Sequence, residues 1–343
     1  MQTLGKFIAL LCAFLFIITG ILALLFFNIE RKAFSSDTYK KAFENQNLYV
    51  RMPAILANAV TTIVAQNPGL PTFVKTLTAG SWESTIVSVL PPAEVKAITD
   101  QALDSMFNYI NRRTNSVVIS ITPLKNRLVG PSGVEVVKQI LRAQPVCTPE
   151  QLQAIALGFL SGGDILLCSP PEDVMALLTP VIESQIPSLA FAIPDQITLV
   201  PEALSGTPND PRLRINNVRL LLLFSPILPA TFLLAITIFA VRGLRDWLIW
   251  WGLPLSVTGA GSLLVALLGA PIVGLIVRGF IQARGAGLIP PIFLSTLQET
   301  ASSVTSEILN PVAVGGLILA VVGVTMTVAA LFIVRRPEPP SSY

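Results

Sequence analysis

The chain has 343 residues, 52% of them hydrophobic and 13% charged, with a formal net charge of +3 and a mean hydropathy of +0.69. That composition belongs to a membrane protein with a water-soluble insert, and the charge is too small to argue for nucleic acid. Histidine is absent, which excludes Ser-His and Cys-His nucleophile pairs, imidazole ligation of zinc and a histidine pH switch.

Residues 1–6 precede an apolar run over 7–27. A signal peptide has an apolar core of about 7–15 residues and a small-residue cleavage site. This run is longer and closes on Phe26-Phe27-Asn28-Ile29-Glu30-Arg31-Lys32, so it reads as an uncleaved first transmembrane helix with a cytoplasmic N-terminus.

Residues 28–218 then read as a large, mostly helical extracytoplasmic domain. Ser35-Ser36-Asp37 supplies N-cap chemistry, and Ile55, Leu56, Ala59, Val60, Ile63 and Val64 recur at helical spacing from Pro53 to Val64, before Asn67-Pro68-Gly69 stops the pattern. Pro92 suits a first helical position and opens a long amphipathic helix to Ile110. The run Val117 to Ile121 is β-branched but too short to separate strand from helix, and a helix over Val134 to Leu141 follows.

Thr148-Pro149-Glu150-Gln151 has the form of a capping box and starts a helix to Leu160, ended by Gly162-Gly163. Ser169-Pro170-Pro171-Glu172 repeats that start chemistry before Val174, Leu177, Leu178, Val181 and Ile182. Ile193 to Val200 reads as extended, leading into a Pro-, Gly- and Asn-rich linker from Pro201 to Asn217.

Of the three cysteines, Cys12 lies inside the first apolar run and packs there as a small hydrophobe. Cys147 and Cys168 lie in the domain assigned outside the cytoplasm, where a disulfide persists, and are expected to pair. Each immediately precedes a residue with N-cap chemistry, so their bond is expected to clamp two helix starts.

Three further membrane-spanning helices are expected over 219–241, 247–272 and 311–334. A helix rises about 1.5 Å per residue, so roughly 20 apolar residues cross a hydrocarbon core about 30 Å thick. The turn 242–246 carries Arg242 and Arg245, and the tail 335–343 opens on Arg335-Arg336. Short arginine-bearing segments stay in the cytoplasm, which places both termini there and residues 28–218 and 273–310 outside. The 273–310 segment is expected to be a loop bearing an amphipathic helix, Ile292 to Ile308, either on the membrane surface or packed under the domain. Pro226 and Pro229 should kink the second span. Gly259, Gly261 and Ser262 on the third span, and Gly315, Gly316 and Gly323 on the fourth, are expected to be close-packing surfaces.

No span carries an Asp, Glu, Lys or Arg in its middle, which argues against an ion-coupled pump. Residues 37–142 hold eleven Lys and Arg against seven Asp and Glu, whereas 143–211 hold eight acids and no base. The acidic half reads as a solvated face complementary to the basic half, because no Asp-x-Asp-x-Asp-Gly calcium loop occurs. Lys75, Lys96, Lys125 and Lys138 are available for a Ser-Lys dyad, but no motif places one beside a serine. The carboxylate pairs Asp100 with Asp104, and Glu172 with Asp173, suit helix starts. Gly158 to Gly163 ends a helix where a phosphate loop would begin one. No catalytic residue, cofactor or metal ligand is assigned.

One span, a large outer domain and three more spans is similar to the arrangement of bacterial ABC-transporter permeases that work by moving outer domains. The resemblance implies a permease-like subunit with an ATPase partner. The chain departs from it at Arg242 to Asp246, which is barely a turn, whereas such permeases grip their ATPase through cytoplasmic surface. The residues favour instead a non-enzymatic, multi-pass cell-membrane protein. Its outer domain would present a binding or scaffolding surface to an envelope partner, protein or lipid. No Asn-x-Ser/Thr acceptor occurs, so a bacterial envelope is expected.

Overall fold

The structure, a computed structural model, describes residues 2–67, 75, 77–153, 168–191, 193–204, 206–207, 210–285 and 291–333. In chain order these form α1 (Gln2–Ala33), α2 (Ser36–Asn45), α3 (Leu48–Gln66), α4 (Ala79–Val89), α5 (Pro92–Ile110), β1 (Val117–Ser120), α6 (Thr122–Val129), α7 (Pro131–Arg142), a helical start at 149–153, and α8 (Glu172–Phe191). β2 (Gln196–Val200), a short 3-10 turn (Glu202–Leu204), α9 (Pro211–Leu223), α10 (Ile227–Ala240), α11 (Leu244–Gly285) and α12 (Pro291–Phe332) complete it. The chain is mostly helical and divides into two compact units.

The first unit comprises Met1–Ala42, Pro208–Phe280 and Gln298–Tyr343. It holds the four most apolar of the five helical segments long and apolar enough to cross a membrane: Leu4–Ala33, Pro211–Ala240, Leu244–Phe280 and Leu294–Phe332. Their most apolar stretches are only 11–28% buried. In water so much exposed Leu, Ile, Val and Phe would drive association, whereas in lipid those side chains are already solvated. α1 packs along α10 and against α9, with Ala13, Phe16, Ile236 and Leu255 at the centre and Cys12 beside them.

The seam between α11 and α12 is built on small residues. At Gly259 an added Cβ would run into the backbone of Gly316 and Ala320, and at Gly323 into that of Gly252 and Ser256. Gly261 faces Ile21 of α1, and Gly315 faces Leu24. Without a side chain at these positions, backbones approach closely and dispersion holds them, as membrane helices require where lipid removes the hydrophobic drive.

The kink expected at Pro226 and Pro229 is present in the second apolar segment, and the structure differs from the sequence reading in the 273–310 segment. The second segment is broken: α9 ends at Leu223, and α10 begins at Ile227 after Phe224, Ser225 and Pro226. Pro226 cannot donate and Pro229 follows three residues on, so the regular ladder stops, Leu222 O accepts from the amide and hydroxyl of Ser225 instead, and the helix restarts. The 273–310 segment is helical wherever it is described, because α11 runs on to Gly285 and α12 starts at Pro291. Each has 42 residues, about 63 Å at helical rise, roughly twice the hydrocarbon thickness. Gly274 sits against Gln298 and Ser302, so the partner helix sustains the pairing where composition turns polar.

The second unit, Phe43–Thr207 and Ile281–Leu297, is a small helical array. Asn47, in the left-handed region at φ 49°, starts α3: Val50 N and Arg51 N both donate to its carbonyl before Pro53 interrupts the donors. α3 packs on α4 and α5; α4 meets α7; α7 meets α6 and α8. Val134, Ile182 and Ile186 form the buried contact between α7 and α8. β1 and β2 pair antiparallel, Val118 opposite Thr198 and Ser120 opposite Gln196, and β1 lies on α5. The expected helix reaching Leu160, with its glycine stop, falls largely outside the described residues.

Valine at Gly259 should part α11 from α12, an overpacking cost of about 1–3 kcal/mol. Thermal unfolding in detergent should show a lowered midpoint for Gly259→Val, while Gly279→Ala, where nothing lies within 4 Å, should not fall below the parent.

Candidate functional site

Cys147 and Cys168 are bonded, their Cα atoms 4.9 Å apart. Both are buried beside Leu152 and Leu178. The capping box after Cys147 is formed: Thr148 N donates to Gln151 Oε1 at 2.9 Å, and Gln151 N to Thr148 Oγ1 at 3.3 Å. Ser169 behaves differently from its sequence signal and does not cap a helix. Its amide donates to Pro145 O and its carbonyl accepts from Cys147 N, forming a parallel bridge between Val146 and Ser169. Ser169 is thereby held extended and α8 begins three residues later, at Glu172. The disulfide clamps one helix start and one β-bridge.

Of the carboxylates singled out from sequence, Asp100 and Glu172 are paired. Asp100 accepts from Tyr49 Oη at 2.9 Å and from Lys96 Nζ at 2.7 Å, and Lys96 also reaches Glu44 at 2.9 Å while lying over the Tyr49 ring. Burial, then the hydrogen bond to Asp100 and its charge, hold the Tyr49 phenol well above its usual value of 10.0. Lys96 is likewise held above the usual lysine range, first by its hydrogen bond to Asp100 and then by that to Glu44. The group is a clasp joining α3 to α5, with its protons fixed through neutral pH. Glu172 pairs with Arg142 and Lys125 with Asp195. Both pairs cross from the basic half of the insert to its acidic half. Among the described residues no three His, Cys, Asp or Glu gather as a metal ion would need.

Among its described residues the first unit holds an apolar and a polar cavity. One, of about 270 Å³, is apolar and open, and follows the break before α10: Pro226, Pro229 and Leu233 face Phe16, Gly20 and Leu24 of α1. Thr258 lines it, fully buried, and its hydroxyl has no hydrogen-bond partner among the described residues.

The other cavity, of about 440 Å³, is polar and lies where α1 leaves its apolar stretch. Asn28, Arg31 and Lys32 line it from α1, Ser35 from the connecting turn, and Asp37, Thr38 and Lys41 from α2. Glu307 and Pro311 of α12 close it. Local bonds hold the frame: Asn28 Nδ2 donates to Leu24 O at 2.8 Å, Tyr39 Oη to Ala33 O at 3.0 Å, and Ser303 Oγ to Ala42 O at 3.3 Å. In the sequence Arg31 and Lys32 mark only the close of the first apolar run; the convergence of three helices on them had no local signature.

No family model matches the chain, and neither curated proteins nor solved structures provide a match.

Replacing both Cys147 and Cys168 by serine should lower stability by about 3 kcal/mol, the loop-closure term for this separation, measured by urea unfolding of the full chain. The Tyr49 phenol titrates higher folded than unfolded, so its contribution is complete below pH 10 and is lost as pH rises through the folded value. Asp100→Asn should bring its titration down toward 10, followed by absorbance at 295 nm with Tyr49→Phe identifying the signal.

Proposed function

We propose that the chain is a four-span membrane protein, both termini cytoplasmic, whose second unit is an extracytoplasmic platform that binds or scaffolds an envelope partner and performs no chemistry itself. The observation that carries this reading is the partition of residue types. The first unit contains four segments with mean hydropathy of 2.2–3.0, whereas the second contains the clasp at Lys96, the disulfide and the Lys125–Asp195 and Arg142–Glu172 pairs. The fifth candidate, Leu48–Gln66, is less apolar at 1.4 and contains Arg51. α4 and α5 pack on it, burying Tyr49, Ile55, Ala57 and Val64. It therefore belongs to the platform.

Orientation follows from Arg242 and Arg245 between α10 and α11, and from Arg335 and Arg336 after α12. Four crossings put both arginine pairs on the cytoplasmic side and the disulfide on the oxidising side.

Single cysteines in a Cys12→Ala background test the topology. Thr3→Cys should be labelled only after permeabilisation, and Ser36→Cys and Glu183→Cys from outside on intact cells. Labelling of position 183 from the cell interior alone would overturn the platform, and exchange of positions 3 and 36 would make α3 a fifth span. Purification in gentle detergent followed by mass spectrometry should recover no nucleotide-binding subunit; a stoichiometric ATPase would establish the permease-like reading in its place.

A further inference from the structure

We infer that the polar cavity between α1, α2 and α12 is a binding site for the phosphate of an anionic phospholipid headgroup, at the level of the outer membrane surface. The level rests on the topology proposed above; the chemistry rests on the cavity.

Three cations converge on it, Arg31, Lys32 and Lys41, against two carboxylates, Asp37 and Glu307. Among the described residues neither Lys32 nor Lys41 forms an ion pair, and Arg31 is engaged only with the Phe27 ring, its guanidinium carbon 5.7 Å from the centroid. Thr38 is 4% exposed and lines the same space. Its hydroxyl is a donor for an acceptor oxygen seated in that space. A phosphate supplies several such oxygens and takes charge-assisted bonds from the two lysines.

Position selects the source of the phosphate. α1 enters the cavity from its apolar stretch, and Pro311 lines it where the apolar part of α12 begins, so the cavity lies at the border of the hydrocarbon. A lipid phosphate sits at that depth, with its acyl chains along the exposed apolar faces of the helices. The surplus of cations favours a headgroup of net negative charge, and Asp37 and Glu307 suit the hydroxyls of a glycerol headgroup as acceptors.

The test uses the full chain reconstituted into nanodiscs of phosphatidylglycerol and phosphatidylcholine in equal amounts, then released for native mass spectrometry. The parent should retain phosphatidylglycerol preferentially, and the preference should fall about fivefold for each lysine removed in Lys32→Gln, Lys41→Gln and their combination. Thr38→Val should weaken it with the charge intact, while Lys32→Arg with Lys41→Arg, and Lys138→Gln outside the cavity, should keep it. These conservative variants preserve the readout should the double glutamine variant fail to fold.

Inorganic phosphate is added in a parallel arm. Displacement of the lipid by millimolar phosphate, lost in the lysine variants, would retain the anion site and assign it to the free ion. Equal retention of both lipids with no effect of phosphate would overturn the site. A protein that inserts with the expected labelling pattern yet shows no preference refutes this cavity alone, whereas a reversed labelling pattern refutes the topology.

Discussion

In hydrocarbon a peptide group has no water to turn to, so every backbone donor and acceptor must be satisfied within the chain itself. That constraint favours helices for segments as apolar as these, and it leaves shape as the means of holding them together. The glycines along α11 and α12 show the consequence. Gly259 lies against Gly316 and Ala320, and Gly323 against Gly252 and Ser256, at distances no side chain would permit. A seam of this kind gains from dispersion over a long contact and from few immobilised rotamers. α1 then lies on the paired helices through Gly20 against Thr258 and Ile21 against Gly261.

Where that constraint is relaxed, the structure shows it. Pro226 and Pro229 withdraw two donors from the second span, and the chain responds by ending one helix and beginning another. The kink was legible because proline carries its consequence in its own covalent structure. The small-residue surfaces were legible for a similar reason, since glycine clusters at helical spacing have few other uses in a membrane helix. The extent of α11 and α12 was not. Arg278 and Gly279 look like the end of a helix when read singly, but a neighbouring helix against Gly274 keeps the chain helical past them, as far as Gly285. Tertiary support overrode local propensity there.

The second unit shows the same division. The capping box at Thr148 and Gln151, the proline at the start of α5 and the extended character of residues 196–200 follow from residues a few positions apart. The pairing of β1 with β2 joins positions near 118 and 198 and had no local trace. Ser169 illustrates how a good local signal loses: its amide and carbonyl are both taken by the strand opposite, through Pro145 and Cys147, and a helix cap needs that carbonyl for itself. The charge asymmetry of the insert became intelligible only as pairs, because Lys125 with Asp195 and Arg142 with Glu172 each span from one half to the other.

The polar cavity owes its free cations to an ion pair outside it. Glu30 is the carboxylate nearest in sequence to Arg31 and Lys32, and a carboxylate beside two cations would ordinarily neutralise one of them. Here it is taken by Arg219, whose Nε and Nη2 donate to Glu30 Oε1 at 3.1 and 2.8 Å while the guanidinium stacks on Phe34. The pair is largely buried, the Glu30 side chain 14% exposed, and it fastens α1 to α9 at the point where each meets its apolar run. Arginine suits that place, because its planar guanidinium can bond a carboxylate along one edge and lie on an aromatic face at once. With Glu30 committed to α9, Lys32 is left to face the cavity with Lys41 of α2. The bond that joins α1 to α9 thus also leaves the cavity cationic.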